Sequence, residues 1–373
     1  MEQSIETIKF EEKKNFEIKS IRNYGIDLLR MFSMINIIIL HINLYSGKLK
    51  LPINKSVYRL EAMSYSAVDC FGLISGIVGY KKYKFSNLIY IWINTSFYSS
   101  IISLYLYYIN LMNFKNMILS FLPILINRHW YINAYFSLYL FIPLLNLGIN
   151  ILNRKILRNL IFFYILFFSF YYIIGLILIG SKNDFIFLRE GYSSNWLIIL
   201  YIIGGYLGKY IIINNNLKSL KYFIICLLIY ILSALITSES YFFLISIKSR
   251  IYKKTLLYNY LSPTIIFEAL SLVIIFSKLS INNKFTIKII SFFTPFTLNI
   301  TLLHLRLFQE KIISFNWLNK LKSSIIFVVI FQHGLILYIL LGLIDYLRSI
   351  IFKILKVKQF CLFIEDKFSK LNK

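Results

Sequence analysis

Charge is what this sequence has least of. Only 15% of its 373 residues are Asp, Glu, Lys or Arg, where a soluble globular domain carries about a quarter, so a soluble domain is excluded. Acidic charge is scarcer still: 16 Asp and Glu stand against 41 Lys and Arg, for a formal net charge of +25. In a soluble chain that balance would point to nucleic acid. Here the lysines sit mostly in short connections between apolar runs, where the positive-inside rule and anionic headgroups account for them, and no nucleic-acid partner is expected. The three cysteines, Cys70, Cys226 and Cys361, share no short spacing and two lie inside apolar runs, which argues against a disulfide framework or a zinc site; no metal is expected. No small-residue cleavage pattern follows the polar first 21 residues, so the first apolar run is expected to stay as an anchor. No connection exceeds about 20 residues, too few for a separate soluble domain. An internal repeat is also missing, which weighs against a transporter built from inverted repeats.

What the chain has instead is apolar length. It is 58% hydrophobic and 18% aromatic, with 34 Phe and 29 Tyr and a mean hydropathy of +0.69, the composition of an integral membrane protein. The expected fold is all-α and polytopic, a bundle of ten transmembrane helices at 26–46, 62–80, 86–108, 129–150, 159–180, 195–213, 220–240, 257–279, 288–305 and 324–350. Met117 to Ile126 is too short to span and carries Pro123, which suits a re-entrant or interfacial segment. The division is into an N-terminal tail (1–21), a transmembrane domain (22–350) and a basic amphipathic tail (351–373) on the inner surface. Clusters such as Lys81, Lys82, Lys84 and Arg154, Lys155, Arg158 place both termini in the cytoplasm, with the outer loop holding Lys248, Arg250, Lys253 and Lys254 as the exception.

The first run, RNYGIDLLRMFSMINIIILHINLYSG at 22–47, carries Asp27, Arg30 and His41 where hydrocarbon is expected. Ionisable groups there are costly unless they face protein or water, so each is a candidate for function. At about 100° per residue, Arg30 and His41 fall within about 20° of one helix face and about 16 Å apart along the axis. Asp27 can pair with Arg30 at i,i+3. His41 is either a general base or a structural histidine bonded to a neighbouring helix. Arg30 either snorkels to lipid phosphate or holds the phosphate of a cytoplasmic cofactor. In the second run Asp69 precedes FGLISGIVG, whose Ser75, Gly76 and Gly79 form either a packing face or a site. Arg128, His129 and Trp130 open the fourth run and would line an outward mouth. Glu268 is a deep carboxylate expected to pair with a distant cation. His304, Arg306 and Asp345 are expected in structural pairs.

Taken in order, these segments resemble the acyltransferase 3 family of multi-span membrane enzymes. The first-helix pattern G-I-D-x-L-R followed by ten residues and His (Gly25 to His41), VDCFGLISG with Ser75 and Gly76, HWYINAYFSLYLFIPLLN, NWLIILYIIGGYLGKY and SFFTPFTLNITLLHL with His304 carry the resemblance over residues 22 to 350. Gly72 stands where the family usually has an aromatic, and Ile77 where one commonly follows Ser-Gly. The resemblance implies transfer of an acyl group, most often acetyl, from cytoplasmic acetyl-CoA or another acyl-CoA to a hydroxyl of a surface glycan or lipid-linked sugar, in a bacterial cell membrane. Arg30 and Ser75 would serve the CoA end, with Asp27 fixing the Arg30 fork. His41 would act as base or acyl carrier, and Arg128, His129, Trp130, Glu268 and His304 would serve the acceptor. The alternative is a non-catalytic glycan flippase or polymerase-like membrane protein.

Overall fold

The computed structural model describes residues 22–47, 54–81, 83–126, 129–179, 187–213, 219–246 and 256–371. The N-terminal tail, Arg128 and the outer loop at 247–255 lie outside them. Among the described residues all regular structure is helical. In chain order the helices are α1 Tyr24–Ser46, α2 Lys55–Tyr65, α3 Ala67–Gly79, α4 Phe85–Tyr108, α5 Phe114–Leu119, α6 Trp130–Ile151, α7 Arg154–Ile165, α8 Tyr171–Ile179, α9 Ser194–Tyr206, α10 Leu220–Ser246, α11 Pro263–Ser277, α12 Lys284–Phe293, α13 Thr297–Gln309, α14 Ser323–Ile354 and α15 Val357–Leu371. Several starts are written in the sequence as side-chain caps. Asn23, Asn54, Asn113, Asn153, Ser193 and Asn283 each accept a backbone N–H from the first turn that follows, satisfying donors that have no partner within the helix.

Seven helical segments are long and apolar enough to cross a membrane: α1, α2–α3, α6, α7–α8, α10, α12–α13 and α14. The other three expected spans are helical too, but fall short. Phe85–Tyr108 is diluted by Ser, Asn and Thr, Ser194–Tyr206 is short and runs on through a π turn to Ile211, and Pro263–Ser277 has 15 residues. Of the ten expected spans, seven are long and apolar enough to cross a membrane, and the other three expected positions hold helices that do not meet that standard. Met117 to Ile126 forms the end of the short α5 and a series of turns, with Ser120 Oγ accepting from Ser103 Oγ of α4 at 2.8 Å.

Helix α1 is the axis of the bundle. It packs against α2, α3, α11, α12, α13 and α14, and 67% of its apolar window is buried, against 11% for the lipid-facing segment at Arg154–Leu178. The crossing between α3 and α9 is close on both sides. A Cβ on Gly76 would stand 2.0 Å from the Tyr201 carbonyl oxygen, and one on Gly204 2.0 Å from that of Leu73, so only glycine lets the backbones approach this closely. The Gly76 motif is thus a packing face.

The last helix, α15, turns back at Lys356 (φ 53°) and docks on the start of α4. Glu365 Oε1 accepts the Phe85 N–H at 2.6 Å, and the Phe85 and Phe368 rings meet at 5.7 Å. A carboxylate at a helix N-terminus is favoured by the unsatisfied N–H groups there.

Candidate active site

The Asn23 end of α1 is an ion cluster. Asp27 is buried and bridges two arginines, Arg22 Nε at 2.5 Å and Arg30 Nη1 at 2.8 Å. Asn23 caps the helix by accepting from the Ile26 N–H at 3.2 Å and ties it to α11 by donating to the Ser277 carbonyl at 2.9 Å. Arg30 is half-buried and faces the bundle, within electrostatic reach of Tyr135 on α6. Tyr135 is in turn within electrostatic reach of Ser75, whose hydroxyl donates to the Phe71 carbonyl at 2.8 Å. Arg30 and Ser75, both expected at the cofactor end, are therefore brought together through a tyrosine that the motif reading passed over.

Toward the Ser46 end, His41 Nδ1 lies 2.9 Å from Nε2 of His304 on α13, and His304 Nδ1 lies 2.7 Å from the Ile300 carbonyl oxygen. The protons of this chain follow from the acceptor at its end. A carbonyl oxygen only accepts, so the His304 Nδ1 carries hydrogen and the Nε2 of the neutral ring is an acceptor. The hydrogen between the rings then belongs to His41 Nδ1, and His41 Nε2 is left with its lone pair. His304 is completely buried and wedged against Phe308 (5.5 Å between centroids), which meets Tyr45 at 6.0 Å. Both rings are held by packing as well as by hydrogen bonds. The structural pairing expected for His304 is thus a pairing with the leading base candidate.

Between the two ends, α6 presents a ladder of tyrosines at i,i+4. Tyr131, Tyr135 and Tyr139 follow one another at 6.2 Å between centroids, and Tyr139 donates to the Lys84 carbonyl at 2.9 Å. The spacing is visible in YINAYFSLY, but its meaning depends on which way α6 faces.

The acceptor-side expectations divide. Arg128 lies outside the described residues. His129 is buried within electrostatic reach of His304. Trp130 lines an open recess of about 310 Å³ with Asn133, Ala134, Phe187, Arg189, Tyr192, Ser193, Ser194 and Asn195. Glu268 has no cation partner among the described residues. It is completely buried beside Ser66 and Asp69, and neither carboxylate oxygen has a hydrogen-bond partner among the described residues. Five described arginines pair with other carboxylates: Arg22 and Arg30 with Asp27, Arg59 with Glu239, Arg306 with Glu310 and Arg348 with Asp345. Asp69 accepts from the Trp196 indole N–H at 3.1 Å. Asp345 is structural as expected. It takes both Nε and Nη2 of Arg348, the Asn299 amide at 3.0 Å and the Tyr98 hydroxyl, while Arg348 also reaches Tyr90 and Asn94 on α4.

The profile of a family described as an acyltransferase domain matches residues 23–346. The chain belongs to the acyltransferase 3 family. No curated protein matches it, and no solved structure does. The matched range of this membrane acyltransferase begins at Asn23, the cap of α1, and holds the Asp27–Arg30 cluster, the tyrosine ladder, the recess and both histidines. It ends before Arg348 and α15.

Proposed function

We propose that this acyltransferase moves an acyl group, acetyl in the first instance, from acyl-CoA to a hydroxyl of a cell-surface glycan or lipid-linked sugar. The observation that supports this reading is the His41–His304 pair, which leaves one imidazole nitrogen unprotonated inside a membrane bundle of an acyltransferase family. His41 Nε2 takes the proton of the acceptor hydroxyl as its oxygen attacks the thioester carbonyl. The C–S bond breaks, the ester forms, and the proton passes from Nε2 to the departing thiolate, giving free CoA thiol. While His41 holds that proton, its Nδ1–H still points at the lone pair of His304, which stabilises the imidazolium as it forms.

Arg30 sits about 16 Å along the same helix and suits the phosphate end of CoA, because the guanidinium fork fits phosphate oxygens. Asp27 holds that fork, and Ser75 and Tyr135 border it. The Asn23 end then faces the cytoplasm, with both termini on that side of the cell membrane. Membranes given labelled acetyl-CoA are expected to label a glycan fraction. At equal protein level, His41→Ala is expected to reduce that labelling by about 10²- to 10⁴-fold. Undiminished labelling would refute the role of His41.

A further inference from the structure

The recess beside Trp130 has the makings of a saccharide site. Its aromatic wall is Trp130 and Tyr192, 4.7 Å apart between centroids, and the buried Tyr260 packs behind both, 4.9 Å from Tyr192 and 6.1 Å from Trp130. Tyr65 backs them at 4.9 Å from Tyr260. Its polar wall is Asn133, Ser193, Ser194 and Asn195, amides and hydroxyls that donate and accept alike, together with the donor-only guanidinium of Arg189. A sugar ring offers this same division, an apolar C–H face flanked by hydroxyls. An amphipathic aromatic platform with a few placed polar groups is what recognises it. The volume of about 310 Å³ sits at the low end of small-ligand sites, enough for about one or two sugar rings.

The wall is also held at a cost to the backbone. Phe187, Arg189 and Glu190 adopt φ of 52°, 50° and 57°, and Gly191 follows at 91°, a run of left-handed residues of the kind that persists where surrounding structure enforces it. The enforcement is visible. The Glu190 carbonyl accepts the Tyr260 N–H at 3.2 Å, and a Cβ on Gly191 would stand 2.4 Å from Tyr260 Cβ. His129, the neighbour of Trp130, is within electrostatic reach of His304.

We infer that the recess binds one terminal unit of the acceptor saccharide, stacked on Trp130 and Tyr192 and hydrogen-bonded along Asn133, Ser194 and Asn195. This rests on the acyl-transfer reading for the word acceptor, but not for the binding itself. The test is retention of purified, nanodisc-held protein on an array of neutral and acidic bacterial oligosaccharides, alongside transfer of label from acetyl-CoA. Wild type and His41→Ala are expected to retain the same glycans. Trp130→Ala and Tyr192→Ala are expected to lose retention at least tenfold. So is Ser194→Phe, which fills the recess and leaves the aromatic wall in place. Retention by none of the glycans, or equal retention by wild type and Ser194→Phe, would overturn the assignment. Glycan retention without label transfer would instead overturn the acyl-transfer reading and leave the recess standing.

Discussion

His304 acts on the reaction through another residue, and that makes its role separable from simple support. With Leu at 304, the His41 Nδ1–H has no acceptor and the ring is free to present either nitrogen, so kcat is expected to fall by about 10²-fold. With Gln, the side-chain carbonyl can still accept that hydrogen, and much of the loss is expected to be restored. Neither change should alter the KM for acyl-CoA, because the phosphate end lies at the other end of α1. Steady-state kinetics of the two variants checks this, and an equal loss in both would show that the ring is only filling space. Glu268 gives the opposite expectation. Its oxygens have no hydrogen-bond partner among the described residues, so Glu268→Gln should leave the thermal unfolding midpoint in detergent unchanged or raised. Removing one member of a buried ion pair would instead cost about 3 to 5 kcal/mol. Sequence reading reached Asp27, Arg30 and His41 because ions in an apolar run stand out. It could not reach the bond between residues 41 and 304, nor see that Glu268 is buried beside Asp69, because both are facts of tertiary packing.

At the scale of helices, two devices hold the bundle, and they respond differently to mutation. The α3–α9 crossing is a matter of volume. Gly204→Leu would drive a side chain into the Leu73 backbone and is expected to abolish monodisperse protein on size-exclusion chromatography in detergent. The Asp345–Arg348 network joins α4, α13 and α14 by charge. Asp345→Ala leaves Arg348 buried without its carboxylate and is expected to cost about 3 to 5 kcal/mol, whereas Asp345→Leu with Arg348→Met should recover most of it. Unfolding of the single and double variants tests the difference. The helices themselves were legible as apolar runs; their Asn caps emerged only with the structure. The number of spans was not, because α4 keeps helical length while diluting its apolarity with Ser, Asn and Thr that face other helices. The glycine motif was read as either packing or site, and only the approach of Tyr201 decides it.

For the whole molecule, the separation of Arg30 from His41 along one rigid helix predicts sidedness. Acyl-CoA supplied to sealed vesicles should label glycan only when the Asn23 end of α1 faces the solution that contains it. Equal labelling from both orientations would contradict a cofactor lying along α1. The molecule also does not stop where its family resemblance does. The matched range closes at residue 346, two residues short of the arginine that neutralises Asp345, and well before Glu365 caps the start of α4. A chain trimmed to the matched range would keep every residue proposed for chemistry, yet strand a buried anion and uncap a helix. The unit that catalyses and the unit that folds therefore have different ends, and the smallest piece worth expressing runs to Leu371.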